Sequence, residues 1–317
     1  MKFKGQITAI ATLVLAGVIP HCAIAQSKEI SVQTPGGQHV RVSAVSDNII
    51  KVSNWNAGET LPETATSVLK GQSGTVSSST APGICVMTTG GGIVVRVDSL
   101  TGSVDISAGP KRSVSDNGLR TLAGGQRRLE LSTVGEGSFY GAGERGYSFN
   151  IAGDTLVMYN KQNYGYTAGE ERIRQMNITM PLFLSSNGYA VVFDDFAAAS
   201  MIMSNPIVYT SESRSPISYY FINGAESLAS VTRELSALTG RQKLPPFWAL
   251  GYITSKYGYH TQQETLGVVD TLKRAGYPLD GIVLDLYWYG KEEDMGRLAW
   301  DQQQWPDHKK MLADLKE

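Results

Sequence analysis

The chain has 317 residues, with 28 Lys and Arg against 29 Asp and Glu and a net charge of −1. That balance excludes a polyanion binder held by bulk charge, and no basic stripe offers the electrostatic footprint of a nucleic-acid partner. Hydrophobic residues make up 42% and charged residues 18%, which excludes a disordered chain, while 34 Gly among many Ser and Thr predict turns and therefore β-structure. The length allows about two domains of ~150 residues.

At the N-terminus, Lys2 and Lys4 precede an apolar run from Ile7 to Ile19, shorter than the ~20 residues a bilayer requires. Ala23-Ile24-Ala25 fits a small-x-small cleavage pattern. Residues 1–25 therefore read as a secretory signal, and the mature chain is expected to begin at Gln26. His21 before Cys22 does not suit lipid attachment, so the expectation is a soluble protein exported to the periplasm or beyond. Cys22 leaves with the signal, which leaves Cys85 as a buried structural thiol with no internal disulfide. His39, His260 and His308 lack ligand spacing, so no metal site is expected. No second apolar run is long enough to span a membrane.

Residues 26–223 read as strand after strand. Val40 and Val42 alternate with polar residues. Ile93 to Val97, Thr101-Gly102 and Val104 to Ile106 predict a hairpin. Arg128 to Leu131 alternates again. Pro181 to Leu184, the Asn187-Gly188 turn and Tyr189 to Phe193 predict another hairpin. Many short strands with Gly-rich turns imply a mainly antiparallel β-sandwich, with Trp55 expected in its core.

Residues 224–244 read as a linking helix and loop. Leu228, Val231, Leu235 and Leu238 share a helical face, and Gly240 stops it. From Pro245 the pattern becomes strand–helix alternation. Trp248 to Ile253 is a buried-type strand. Thr261-x-x-Glu264 is a capping box for a helix with Leu266, Val269 and Leu272 on one face and Gly276 after its end. Gly281 to Tyr287 is a second buried strand, and another helix begins near Pro306 and passes through Met311, Leu312 and Leu315. This order implies parallel strands with helices outside. Residues 245–317 are too few for a closed (β/α)8 barrel of about 250 residues, so they read as the first two βα units of a truncated one.

Asp285 follows the apolar residues of the second strand and is expected near its C-terminal end, the face on which barrel enzymes build their sites. Tyr287, Trp288 and Tyr289 follow at once, and Tyr257 follows the first strand. Carboxylates accept hydrogen bonds from sugar hydroxyls and aromatic faces pack on sugar C–H groups, so this mixture points to a carbohydrate pocket. Trp248, Trp288, Trp300 and Trp305 all fall in this last stretch, which favours the pocket over plain core for these rings. A carboxylate that merely binds a loop N–H is the structural alternative for Asp285.

Leu244-Pro-Pro-Phe-Trp-Ala-Leu-Gly-Tyr252 after Leu238-Thr-Gly240 resembles the barrel entry of glycoside hydrolase family 31. Pro278 to Gly290 resembles its second strand. Met295 to Asp301 and Trp305-Pro306 are similar to a bacterial branch of α-glucosidases and a 4-α-glucosyltransferase. Phe139 to Arg145 and Tyr189 to Phe196 fit the family's N-terminal sandwich. The resemblance implies a retaining, cofactor-free enzyme acting on the ends of α-linked oligosaccharides, with a nucleophile and an acid/base about 5 Å apart. Both are Asp residues on later strands in the family, hence expected beyond Glu317, so no catalytic residue is assigned here and the chain alone is expected to be inactive. Asp285 matches the family's substrate-binding Asp, and Leu286 and Tyr257 match positions lining the same subsite; Trp288 is counted with them. Met158 to Asn163 matches a loop that the sandwich sends to the pocket mouth. Gln162 stands where relatives usually carry Asp, which leaves transfer to a second sugar open beside hydrolysis.

Gly141-Ala-Gly-Glu-Arg-Gly146 is a formal GxGxxG, but no helix pattern follows, so it is not read as a dinucleotide site. Glu144 is expected to make buried hydrogen bonds in the sandwich or at its boundary with the barrel. Glu292, Glu293 and Asp294 are read as a solvated loop. A rival of another class is a non-catalytic carbohydrate-binding sandwich.

Overall fold

A computed structural model of the chain describes residues 21–24, 28–61, 74–135, 137–161, 169–174, 178–225 and 227–316. The chain divides into two compact units, one up to Arg241 and one from Gln242 on.

Two antiparallel sheets make up the first unit. One runs edge to edge through His21–Ile24, Glu29–Gln33, Gln38–Ser46, Ile49–Asn56, Ile217–Asn223, Tyr189–Asp194, Thr179–Ser185 and Phe139–Gly143. The other runs through Thr155–Met158, Ala199–Ile202, Ile207–Ser211, Arg127–Thr133, Ser113–Asp116, Val104–Ser107, Val94–Asp98, Ile84–Thr89 and Val76–Ala81. Period-two alternation turns Val40, Val42, Val95, Val97, Leu129, Leu131, Tyr219 and Phe221 inward, and both sheets contribute to one fully buried core. The expected hairpins form: Val94–Asp98 pairs with Val104–Ser107, and Thr179–Ser185 pairs with Tyr189–Asp194 across a turn with Gly188 at φ +84°.

Three expectations for this unit are corrected. Trp55 is half-buried on the outer face, because Val52 and the residue opposite Trp55's neighbour, Val40, point inward; its ring stacks on that of His39, its cross-strand partner, at 5.1 Å. Glu144 is exposed. Its neighbour Arg145 takes the inward place and donates to the carbonyls of Ala142, Val157 and Arg174. Cys85 is buried and disulfide-bonded rather than a free thiol. The signal reading rests on residues outside the described ones, apart from His21–Ile24, which pair with Ile30 to Gln33.

The linking helix forms at Leu228–Thr239, with Ser227 as N-cap and Gly240 at φ +93° after its end. Val231 and Leu238 bury against Ile49, Ala190, Tyr220 and Ile222, so the helix covers part of the first sheet's outer face. A Cβ on Gly224 would lie 2.3 Å from Val231 Cγ2, so the approach requires glycine. Inside the sandwich, Asp116 is fully buried and accepts from Gly118 N, Asn54 Nδ2 and Tyr219 Oη. Burial pushes its carboxyl up to about 6, against these three donors.

Candidate functional site

In the second unit, Ile253–Ser255 and Gly281–Val283 pair in parallel, joined through the helix Gln262–Arg274. The helix starts as its sequence requires: Thr261 Oγ1 accepts from Glu264 N at 3.0 Å. The Glu264 carboxylate reaches past the cap to His260 N at 2.7 Å and also takes the Lys256 ammonium, which holds its pKa below the usual range. The helix ends in a Schellman arrangement, with Gly276 N donating to Lys273 O and Tyr277 N to Leu272 O. Leu266 and Val268, rather than Leu266 and Val269, pack on the unit's core, while Val269 faces a groove.

Both strands are shorter than expected. Phe247–Leu250 forms a 3-10 turn, and the Asp280 carboxylate accepts from Tyr252 N, so pairing begins only at Ile253. The second strand stops at Val283 because Asp285 and Tyr287 adopt φ +59° and +69°. A left-handed non-glycine residue costs about 1–2 kcal/mol, and two such residues flank Leu286.

The loops leaving the two strands interlock. Gly258, at φ +79°, lies so close to the Tyr287 ring that a Cβ there would meet Cδ2 at 2.5 Å. His260 stacks on the same ring at 4.0 Å. Tyr259 N donates to Leu284 O, and Trp305 Nε1 donates to Tyr287 O at 3.0 Å. The Tyr287 phenol donates to Glu292 Oε1 at 2.7 Å, which pushes its pKa up to about 12. Beside it, the Tyr289 hydroxyl is buried without a hydrogen-bond partner among the described residues. Loss of water, then the carboxylates of Glu292 and Asp285, hold its pKa above the ordinary phenol value.

Asp285 is exposed, and its carboxylate carries no hydrogen bond among the described residues. The loop-N–H alternative is therefore not what the structure shows. Tyr257 is 70% exposed on the neighbouring loop, and Leu286 is half-buried with its Cβ facing Gly258. Trp288 is half-buried; its ring meets Tyr289 and Trp300 and packs on the core built by Tyr259, Trp305 and Met311. The tryptophans as a group are corrected: Trp305 is fully buried, Trp300 stacks on His308 and meets the Trp305 ring at a tilt, and Trp248 is exposed in the 3-10 turn. Residues Glu292–Asp294 form a short 3-10 turn with Glu292 and Glu293 exposed to solvent, in keeping with a solvated segment, and Glu292 accepts from the Tyr287 phenol. On the sandwich, Asn160 Oδ1 accepts from Thr179 N and Oγ1, which fastens the start of the expected loop, while Gln162 lies outside the described residues.

Sequence reasoning missed Tyr287 as the piece joining the two loops. Its ring was in view, but Gly258 and Glu292, its tertiary partners, carry no local signal for it. A groove of about 1410 Å³ lies along the Gln262–Arg274 helix, lined by Leu266, Val269, Ile282, Leu312 and Leu315, and holds none of the candidate residues. Among the described residues no group of three His, Cys, Asp or Glu side chains is placed to hold a metal ion.

Residues 39–201 match the glycosyl hydrolase 31 N-terminal galactose mutarotase-like domain, and residues 242–317 match the glycosyl hydrolases family 31 TIM-barrel domain. The chain belongs to glycoside hydrolase family 31. Among its family 31 relatives, an α-xylosidase of Saccharolobus solfataricus is 27% identical over 88% of this chain and 39% of its own length. An α-glucosidase of the same organism is 26% identical over 64% of this chain and 29% of its own length. This family 31 chain thus spans about two-fifths or less of these relatives. Its fold is shared with a Flavobacterium johnsoniae dextranase complexed with isomaltotriose, at TM-score 0.80 and 20% identity over 94% of this chain and 37% of that one. A soil-metagenome α-xylosidase complexed with xylose aligns at TM-score 0.78 and 20% identity over 92% of this chain and 45% of that one.

Proposed function

We propose that this chain supplies the sugar-holding part of an α-glycoside hydrolase, which removes terminal α-linked glucose or xylose from oligosaccharides by double displacement. The observation that carries the reading is the unpartnered carboxylate of Asp285, at the end of a parallel strand within the segment that matches the family's barrel domain. An exposed carboxylate with free lone pairs accepts sugar hydroxyls without first breaking a hydrogen bond. Tyr257 and Leu286 line the same subsite, and Trp288 backs it. The Ile253–Ser255 and Gly281–Val283 strands, each with the helix that follows it, are the first two βα units of a barrel. The two reacting carboxylates belong to the length of the relatives that this chain does not span.

In the full-length protein, Asp285→Asn is expected to lower kcat/KM on 4-nitrophenyl α-glucoside and α-xyloside about 100-fold or more, and proton NMR should show the α-anomer released first. Unchanged turnover in the variant, or β-product first, would sink this reading.

We also propose export directed by residues 1–25. Cutting after Ala25 removes the His21–Ile24 strand and leaves Cys85 as the one cysteine, so no intrachain disulfide would remain. Intact mass and a thiol count of the exported protein read this directly; a longer chain with no free thiol refutes the Ala25 cut.

A further inference from the structure

Asp285 makes no side-chain hydrogen bond among the described residues, so the place from which its carboxylate projects is set by its backbone. That backbone is left-handed, and the next left-handed residue is Tyr287. An unusual turn of this kind persists only where its surroundings hold it. Among the described residues Asp285 has no such holding contact, whereas Tyr287 has four. Gly258 meets one part of its ring, His260 stacks on the ring, Trp305 Nε1 holds its carbonyl, and Glu292 accepts from its phenol. Three of these partners lie outside its own strand–loop segment, so Tyr287 anchors the turn to the neighbouring loop and to the core.

We propose that Tyr287 is the positioning residue for Asp285, and that Glu292 keeps it in register through the phenol hydrogen bond. This rests on the reading of Asp285 as a sugar-binding carboxylate. Binding geometry loosened by a fraction of an ångström weakens contacts made at the reacting ring. In this role Tyr287 acts through Asp285 and not by a contact of its own with the sugar.

The test is a double-mutant cycle in the full-length protein, read on 4-nitrophenyl α-glucoside or α-xyloside, whichever the wild type turns over faster. Tyr287→Phe keeps the ring and its stacking and removes only the phenol hydrogen bond. It is expected to lower kcat/KM about five- to tenfold with the melting temperature unchanged. Glu292→Ala should match that loss, and Glu292→Gln, whose amide oxygen still accepts, should restore activity to within about threefold of wild type. In the Asp285→Asn background, Tyr287→Phe should change kcat/KM by less than about twofold, because the group it positions is already lost. Full additivity of the two losses, or Tyr287→Phe activity within twofold of wild type while Asp285→Asn is crippled, overturns the proposal and leaves the sugar-binding reading standing. If Asp285→Asn itself is silent, or the wild type turns over neither glycoside, the underlying reading fails and the proposal falls with it.

Discussion

The two units of the chain differ in how completely they enclose their apolar residues. In the sandwich, long strands bury Val, Ile, Phe and Tyr side chains from both sheets to zero exposure in one continuous core. In the second unit the strands are three residues long, the fully enclosed apolar residues are Tyr259, Trp305 and Met311, and Phe247, Leu298 and Leu244 are about nine-tenths exposed. The left-handed Asp285 and Tyr287 and the unpartnered hydroxyl of Tyr289 lie there too. Sheet pairing satisfies backbone groups and leaves little freedom, whereas loops after strand ends can hold polar groups unpaired and aimed outward.

The contrast can be broken or sharpened by substitution, beginning with the largest effect. Phe221 is fully buried and stacks on Tyr189, so Phe221→Ala should cost about 3–5 kcal/mol in a denaturant titration of the first unit. Phe247 is 91% exposed, and Phe247→Ala should stay within about 0.5 kcal/mol. Equal losses at the two positions would abolish the distinction.

Asp116 comes next. Its carboxyl titrates at about 6 when folded and near 3.8 when unfolded. Between those values the folded state holds the proton that the unfolded state has released, so stability falls as pH rises from about 4 to 6 and is level above. The drop should be about 3 kcal/mol. Asp116→Asn removes the titration, and Asn54 can turn its unpartnered Oδ1 toward the new amide. A variant whose stability still falls over that window would refute the assignment.

Gly224→Ala should cost about 1–3 kcal/mol, since its Cβ would press on Val231 and lift the linking helix from the sheet. Thr261→Ala, which removes the N-cap of the Gln262–Arg274 helix, should cost about 1 kcal/mol and lower helical ellipticity. A larger loss for the cap than for Gly224 would mean that the second unit depends on its helix ends more than the first depends on its packing.

Much of this was legible in the order of residues. The Asn187-Gly188 and Thr101-Gly102 turns, the helix from Leu228 with Gly240 after it, and the Thr261 cap all reside within a few residues of the structures they specify. So did the position of Asp285 after an apolar run. What was not legible is which surface meets which. Trp55 was expected inside, but facing is decided by register with Gln38–Ser46, and an aromatic residue suits either side of a sheet. The tryptophans near the C-terminus were weighed as a pocket, yet Trp300 and Trp305 close a core. Periodicity shows that a ring is wanted on a face without showing what covers it.

By itself, then, the sequence determined the strand and helix pattern, the caps and glycine stops, the family and the place of Asp285 after an apolar run. Those depend on side-chain period, backbone preference and short motifs, which act over a few residues. Only tertiary structure decided that Asp285 stands in a left-handed turn without a side-chain partner among the described residues, that Tyr287 is clamped between Gly258, His260, Trp305 and Glu292, and that Asp116 is kept from water. These depend on contacts between segments far apart in the chain, where the energy of a buried or bonded group is set by its neighbours rather than by its own type.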